Sequence, residues 1–357
     1  MKTNTLHTPN WSKTLAALRQ TRHAISIGLL LSAVPLARAV DHRILIEPPP
    51  SILNPGDILR TDPGDAMQGG VILRIDPRTG KETVLSQGGH LGFHGRPMGV
   101  AVDQNGQLIV ANQACLLRID PNTGRQTMIR DVSGMPGSFW NLALDRNHDI
   151  WVAAESAVLR VNPSTGDTLV VSSNGILSNV LSLALSGNEA NEILATSVRQ
   201  VAGIGWVGSI VRVNPVDGRQ MVLSDAGYLG YLLGITVQGD DIYVTGLKGH
   251  DQNFGIGQVV RVDARTGLQR VVSEGEYLVR PVGVTVDGNG ELVVADPYTM
   301  NPESSGVFDG AIIRINPETG VQELVSRGSG SWVNPYGVSV VGASTGGQYR
   351  TWNDSKQ

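Results

Sequence analysis

Three histidines carry the side-chain type that binds transition metals. His90 and His94 are four residues apart, the spacing that places two imidazoles on one face of a helix, and His250 lies beside Asp251 in the segment GHDQN. Glycines surround the first pair and no HExxH motif accompanies it, so the sequence does not favour a helix there. We expect all three to be ordinary loop histidines and predict no cofactor; a divalent metal site is the alternative.

Arg96 and Arg280 have the side chain best suited to binding an anionic group. Each precedes a proline, in RPMG and RPVG, and Asn334 occupies the matching place in NPYG. A guanidinium binds a carboxylate or a phosphate through two parallel hydrogen bonds. The alternative is a structural role, in which these side chains tie neighbouring repeat units together.

Other motifs with chemical potential do not carry a function. The segment DRNHD, residues 145–149, resembles the start of a calcium loop but lacks its glycine, and Ser156 stands where the bidentate glutamate belongs. GASTG, residues 342–346, matches G-x-S-x-G but lies in a polar tail without a following helix. Cys115 lies in an apolar run, which predicts a buried and inert thiol.

An internal repeat defines the elements that must position these residues. One pattern recurs six times, as RIDPRTG from Arg74, RIDPNTG from Arg118, RVNPSTG from Arg160, RVNPVDG from Arg212, RVDARTG from Arg261 and RINPETG from Arg314. The period of about 40 to 50 residues is typical of propellers and solenoids. This sequence therefore indicates the fold more clearly than it indicates a specific chemical activity.

Each repeat unit contains four short strand-type runs, which we name a to d from the innermost outwards. Run a reads GVAVD from Gly99, run b reads LIVAN from Leu108, run c ends in the arginine motif and run d follows it. The a-to-b and c-to-d connections are clusters of Asp, Asn, Pro and Gly, which form tight hairpin turns. The sequence predicts an all-β fold, a six-bladed β-propeller with four antiparallel strands per blade.

The order of the runs predicts how the ring closes. The first unit begins at its b run, Ile58, whereas the last run, GVSVV from Gly337, is an extra a strand. We expect this C-terminal strand to complete blade 1, which removes an unpaired sheet edge. The propeller should span residues 57–342, preceded by a lead-in, 40–56, and followed by a polar tail, 343–357.

The first 39 residues resemble a signal peptide. Lys13, Arg19 and Arg22 precede an apolar run, and Ala37 and Ala39 give the pattern that signal peptidase cleaves. Cleavage after Ala39 would remove five cations and no acids, taking the formal charge from −4 to −9. We expect export to the periplasm or the medium, a monomer, and no nucleic-acid or membrane partner after cleavage, because the mature surface is acidic.

The long connections favour one face of the propeller for binding. The b-to-c loops and d-to-a crossings share that face, and the long segments are 63–70, 198–208, 247–257 and 297–310. The channel mouth should be lined by the residues just before each strand a: Met98, Trp140, Leu181, Leu233, Val282 and Tyr336. None ionises near neutral pH, which argues against a metal or acid–base site on the axis and favours a hydrophobic plug over an apolar pocket. The candidate ligand-binding residues are His90, His94, Arg96, Trp140, Tyr231, His250, Arg280 and Tyr336.

The repeat resembles a known family. RPMGVAVDQNGQLIVAN from Arg96 and RPVGVTVDGNGELVVADP from Arg280 resemble the NHL-type propeller repeat, and the chain is distantly similar to gluconolactonase and virginiamycin B lyase propellers. The latter resemblance implies metal-binding polar residues near strand a, where this chain has Met98, Leu233, Val282 and Tyr336, so no catalytic residue is carried over. We therefore predict an exported, non-catalytic scaffold that binds a protein partner or a small ligand at the long-loop face. The alternative is a lyase or hydrolase that uses His90, His94, Arg96, His250 and Arg280 at the channel mouth.

Overall fold

Six four-stranded antiparallel sheets make up the part of the chain that the computed structural model describes. That part comprises residues 52–64, 69–92, 95–186, 192–249, 256–299, 309–328 and 333–342. Each sheet is one blade, and its strands follow one another in the order of the chain, except that the last strand joins the first blade. The predicted six-bladed β-propeller is confirmed, and the only helix in the described ranges is a 3₁₀ turn at Gly89–Leu91.

The strands are short, as the repeat requires. Blade 1 contains β1 (Ile58–Asp62), β2 (Val71–Ile75) and β3 (Glu82–Gln87), and blade 2 contains β4 (Pro97–Val102), β5 (Leu108–Asn112), β6 (Cys115–Ile119) and β7 (Gln126–Asp131). Blade 3 contains β8 (Phe139–Leu144), β9 (Ile150–Ala154), β10 (Ala157–Val161) and β11 (Thr168–Ser173), and blade 4 contains β12 (Leu183–Leu185), β13 (Ile193–Val201), β14 (Gly205–Val213) and β15 (Gln220–Asp225). Blade 5 contains β16 (Tyr231–Gln238), β17 (Asp241–Lys248), β18 (Ile256–Asp263) and β19 (Gln269–Glu274), and blade 6 contains β20 (Gly283–Val286), β21 (Leu292–Asp296), β22 (Ala311–Ile315) and β23 (Gln322–Arg327). The final strand is β24 (Val338–Val340).

The repeated motif forms a turn stabilised by its own side chain. In blade 1, Oδ1 of Asp76 accepts hydrogen bonds from the backbone N–H groups of Arg78 and Thr79, at 2.9 and 3.2 Å. Gly80 follows with φ 67°, a conformation that glycine adopts without strain. The motif arginine turns back to an acid at the start of the same blade, as in Arg74 Nε to Asp57 Oδ2 at 2.5 Å. The recurring residues of the motif therefore serve the blade rather than a ligand.

The ring closes through the last strand. β24 pairs antiparallel with β1, with Ile58 opposite Val340 and Arg60 opposite Val338. The backbone N–H of Gly56 also donates to the carbonyl of Val341 at 2.8 Å. The prediction that a C-terminal strand completes blade 1 is confirmed.

A row of side-chain hydrogen bonds joins the outer strands of neighbouring blades. In four of the interfaces a glutamine Nε2 donates to a serine Oγ of the preceding blade: Gln126 to Ser86 at 3.0 Å, and Gln220 to Ser172, Gln269 to Ser224 and Gln322 to Ser273 at 2.9 Å. At the interface between blades 6 and 1, Ser326 instead donates to a carboxylate, Oε1 of Glu82, at 3.0 Å.

Glu82 belongs to a buried ionic network that we call the closing network, formed by Arg60, Asp62 and Glu82. The Arg60 guanidinium donates to both oxygens of Glu82, at 2.9 and 2.8 Å, and to Oδ2 of Asp62 at 3.0 Å. Arg60 is 1% exposed and Asp62 is fully buried. The b strand of blade 2 has Val110 where blade 1 has Arg60, so the network is an exception within the repeat.

The described ranges contain no helix that is both long enough and apolar enough to cross a bilayer.

Candidate functional site

The inner ends of the blades are drawn together by close backbone contacts. A Cβ atom placed on Gly283 would lie 2.3 Å from the carbonyl oxygen of Tyr336, and one on Gly337 would lie 2.2 Å from that of Met98. Such approaches are possible only where glycine leaves the space open. The segments that carry Val282, Tyr336 and Met98 therefore follow one another around the ring.

Three of those residues are the extra residue of a β-bulge. The strand register shifts between Pro97 and Gly99 in β4, between Phe139 and Asn141 in β8, and between Leu232 and Gly234 in β16, which leaves Met98, Trp140 and Leu233 without a partner position. Bulges commonly redirect a side chain near the rim of a barrel or beside a site. Met98 and Leu233 are buried, at 8% and 9% exposure, and Trp140 is half-buried.

The channel below the mouth is narrow. Its cavity of about 50 Å³ is lined by the inner strands of all six blades, with Asn141, Thr236, Thr285 and Ser339 among apolar neighbours. Pockets for drug-sized ligands usually measure about 300 to 1,000 Å³. The channel can hold water molecules but not an organic ligand of that size.

Five side chains form a group above this channel, which we call the mouth cluster: Arg96, Tyr231, Arg280, Tyr298 and Tyr336. The Arg280 guanidinium lies 5.6 Å from the centroid of the Tyr298 ring, within the range of a cation–π contact. The phenol of Tyr298 lies close enough to that of Tyr336 to influence its ionisation. Burial raises the pKa of Tyr336 and the charge of Tyr298 adds to that rise, whereas Arg96 and Arg280 oppose it. The two arginines therefore act on the same phenol.

Tyr231 connects the cluster to blade 4. Burial raises the pKa of its phenol, and the charge of Arg280 opposes the shift. The ring of Trp206, which lies on β14, meets that of Tyr231 edge to face with centroids 5.4 Å apart. Trp206 is in the segment 198–208, which we predicted as a loop; β13 and β14 instead continue through it as a longer hairpin. Strand pairing holds this aromatic residue more rigidly than a loop would.

Neither arginine of the mouth cluster forms a salt bridge within the part of the chain that the structure describes. Arg96 is exposed and Arg280 is half-buried. The motif arginines behave differently, as in Arg261 Nε to Asp241 Oδ1 at 2.7 Å. Two cations that form no salt bridge within the described ranges lie next to three tyrosines, which makes this part of the surface suited to an anionic group.

Asp296 holds two members of the cluster in place. Its Oδ2 accepts hydrogen bonds from the N–H groups of Val279 and Arg280, at 2.7 and 2.8 Å, and its Oδ1 accepts from the N–H of Tyr298 at 2.8 Å. The residue is fully buried. Burial raises the pKa of its carboxyl to about 6, against the opposing effect of these hydrogen bonds and of Arg280.

Sequence reasoning did not identify Asp296 or Tyr298 as members of the site. A signal was present, because the last residue of the b run is Asp62 in blade 1, Asn112 in blade 2 and Asp296 in blade 6. These polar side chains bind the crossing that enters the blade: Asp62 Oδ2 accepts from the N–H of Asn334 at 2.9 Å, and Asn112 Nδ2 donates to the carbonyl of His90 at 2.7 Å. A polar residue at the end of a b run thus predicts a side chain that holds the crossing between two blades in place.

Of the remaining predicted site residues, the structure describes His90 and Trp140, whereas the other two lie outside the described residues. His90 is exposed, and its N–H donates to Oε1 of Gln126 at 2.8 Å, which ties the crossing to the outer strand of blade 2. The indole Nε1 of Trp140 is buried and has no hydrogen-bond partner among the described residues. His94 and His250 lie outside the described residues, so the convergence required by the lyase or hydrolase alternative stays a prediction. Over the ranges described, no three His, Cys, Asp or Glu side chains are grouped to hold a metal ion.

A second cavity opens on the opposite face, between the turns of blades 5 and 6. Its volume is about 400 Å³, and its lining includes Tyr243, Asp241, Glu291 and Glu318. Arg261 contacts two of these acids, Asp241 at 2.7 Å and Glu318 at 3.3 Å. Arg261 therefore offsets part of the negative charge of the cavity walls.

Comparisons with known proteins agree with the architecture. No family model matches the sequence, and no curated protein is similar to it. A solved structure described as a nidogen/laminin complex contains a chain that is similar over 79% of this chain and 97% of its own length, with 14% sequence identity and a TM-score of 0.59. The fold is a six-bladed β-propeller. Because 697 chains of known structure match, the fold is too widely used to specify an activity.

Proposed function

We propose that this propeller is a binding scaffold that holds a protein partner at its long-loop face, with the mouth cluster at the centre of the contact. The observation that carries the proposal is the convergence of Arg96, Arg280, Tyr231, Tyr298 and Tyr336 at one end of the channel. Tyrosine, tryptophan and arginine dominate the binding energy of protein interfaces, where they cluster near the centre. The group has that composition and that clustering.

Two further observations support a protein rather than a small organic ligand. The channel cavity beneath the cluster is about 50 Å³, too small to enclose such a ligand. The similar solved structure is, by its description, a complex of nidogen with laminin, so a propeller of this fold is compatible with protein binding. Tyr298 and Arg280 are also fixed through Asp296, and a preorganised surface loses less entropy on binding.

Affinity capture with matched variants tests the proposal. Wild-type protein, a Tyr231→Ala/Tyr298→Ala variant and a Val216→Ala/Leu268→Ala control would be immobilised and exposed to a soluble extract of the source organism. Val216 and Leu268 are exposed apolar residues on the turns of the opposite face, at 92% and 73% exposure. A protein retained by the wild type and the control should be lost from the tyrosine variant, and its purified form should bind that variant at least about 30-fold more weakly.

The capture experiment has a clear contrary result. If the tyrosine variant melts like the wild type and retains the same proteins with the same affinities, the mouth cluster is not the binding surface. Loss of the partner from the opposite-face control alone would also contradict the proposal and move the interface to the turn face.

Export from the cytoplasm completes the proposal. It rests on the basic and apolar pattern of residues 1–39 and on Ala37 and Ala39. The intact mass of the protein isolated from its source should correspond to a chain that begins at Val40. A mass that includes residues 1–39 would remove export from the proposal without affecting the binding surface.

A further inference from the structure

We propose that the mouth cluster receives the carboxylate of an aspartate or glutamate side chain of the partner, bound between Arg96 and Arg280. This inference rests on the proposed function, since it names the chemistry by which the partner is recognised. The inference goes beyond the proposed function because it names one charged group of the partner and the position at which that group binds.

Arg96 and Arg280 place two positive charges at the channel mouth. Within the described ranges neither Arg96 nor Arg280 forms a salt bridge, although both act on the phenol of Tyr336. A guanidinium pairs a carboxylate through two parallel hydrogen bonds. A carboxylate placed near Tyr336 would therefore lie within the field of both cations.

Arg280 is held in place at both its backbone and its side chain. Its backbone N–H is held by Asp296 at 2.8 Å, and its guanidinium rests against the Tyr298 ring at 5.6 Å. A cation–π contact is made to the ring face and uses none of the N–H donors in a hydrogen bond to oxygen. Those donors remain for an incoming acceptor, and the side chain that bears them is already oriented.

The surroundings favour a single carboxylate over a polyanion. The mature chain is predicted to carry a formal charge of −9, because residues 1–39 contain five cations and no acids. Such a surface repels a nucleic acid or an anionic membrane, whose charges extend beyond two arginines. One acidic side chain within a largely neutral protein surface would meet the two cations without that repulsion. The aromatic rings beside them would lower the local dielectric constant and strengthen the contact.

Arginine side-chain NMR provides the test. The Nε–Hε signals of arginine-labelled mature protein would be followed as N-acetyl-aspartate methylamide is added at low ionic strength, with the matching asparagine compound as the neutral probe. We expect saturable shifts of the Arg96 and Arg280 signals, with a dissociation constant of roughly 10 mM, as for one charge-assisted contact, and none with the asparagine probe. Binding to an Arg96→Gln/Arg280→Gln variant would be followed through the backbone N–H signals of Tyr298 and Tyr336, which should no longer shift, whereas they should still shift in an Arg219→Gln control on the opposite face.

Several results would overturn the inference. The absence of saturable shifts with the aspartate probe, equal shifts with the asparagine probe, or inorganic phosphate binding more than about 10-fold more tightly would each do so. The capture experiment separates the two proposals. If the tyrosine variant loses the partner while the aspartate probe fails to bind, the protein-binding function stands and only the carboxylate assignment fails. If the probe binds while capture is unchanged, the proposed function itself fails.

Discussion

Asp296 shows how one buried carboxyl can organise a surface. Its two oxygens accept three backbone N–H groups, from Val279, Arg280 and Tyr298, while the side chain itself is removed from solvent. Burial favours the neutral form of an acid, whereas the N–H donors favour the charged form. Burial is the larger effect here, because the pKa rises from 3.8 to about 6. The proton on Asp296 is therefore linked to the stability of the segment that bears Arg280.

The first prediction concerns this linkage. Since the pKa of Asp296 is higher in the folded protein than in the unfolded chain, its stabilising contribution is full below about pH 4 and is lost as the pH rises through 6. A shift of two units corresponds to about 3 kcal/mol. The free energy of unfolding of the wild type should therefore fall by about 2 to 3 kcal/mol more than that of Asp296→Asn between pH 4 and pH 7, measured by urea denaturation at each pH.

The comparison with Asp296→Asn cancels other titrations. The pKa values of Asp76, Asp225 and Asp263 are lowered by hydrogen bonds and arginines, and these residues titrate in both proteins. Parallel stability curves for the two proteins would show that Asp296 has an ordinary pKa.

Arg96, Arg280, Tyr231 and Tyr336 could be named from the sequence because they lie on the blade crossings or just before strand a of a repeat whose positions were already aligned. Tyr298 could not, because it lies in a segment of unequal length with no counterpart in the other blades. The sequence places Asp296 at the end of a b strand. Its role depends on the burial of its side chain, which the pattern of apolar and polar residues in so short a strand does not predict. The position of Arg280 and Tyr298 within the cluster depends on the backbone hydrogen bonds that buried Asp296 accepts, which have no distinctive sequence signal.

At the scale of elements, the inner strands combine two tasks. They complete the blades, and they hold the mouth residues through contacts with the backbone of the next blade. Gly337 stands immediately before β24, and its neighbour Tyr336 belongs to the mouth cluster. The space that Gly337 leaves open is filled by the carbonyl of Met98 in blade 2. Packing between blades and the geometry of the site are thus set by the same residues.

The second prediction tests that packing. In Gly337→Ala the new Cβ atom would lie 2.2 Å from the Met98 carbonyl oxygen, so the two strands must separate. Overpacking of this kind costs about 1 to 3 kcal/mol. Gly288→Ala is the control, because a Cβ atom there has no neighbour within 4 Å. Urea denaturation should show a lower midpoint for Gly337→Ala and little change for the control; equal midpoints would mean that the contact is easily relieved.

For the molecule as a whole, the interface that closes the ring differs from the four glutamine–serine interfaces. Four interfaces use a neutral glutamine–serine pair, whereas the joint between blades 6 and 1 uses the closing network and Ser326. The sequence predicted the closing strand itself. The first blade begins without an a run, and the chain ends with an extra a run that can supply it. It did not predict the closing network. From the sequence Arg60 is only one residue of a b run, and the fold alone places its guanidinium beside the carboxylates of Asp62 and Glu82.

The third prediction concerns the closing network. Arg60→Val leaves Asp62 and Glu82 buried without their cation, which should cost about 3 to 5 kcal/mol of unfolding free energy. The triple variant Arg60→Val/Asp62→Asn/Glu82→Gln installs the residue types that blade 2 has at Val110, Asn112 and Gln126. Its stability should return to within about 1 kcal/mol of the wild type, because neutral pairs replace the charges together. A triple variant as unstable as the single one would show that the network has a role that neutral residues cannot fill.

The path of the chain into and out of β1 and β24 also sets how the ring responds to force. The N–H of Gly56 meets the carbonyl of Val341, and the N–H of Val341 meets the carbonyl of Asp57, so both ends of the propeller leave from the same end of one strand pair. Tension applied through those ends loads the hydrogen bonds one after another instead of sharing the load among them. Under an optical trap that pulls on residues 52 and 342, the ring should open like a zipper from blade 1. A tether relocated to the two ends of a different blade should need a larger force.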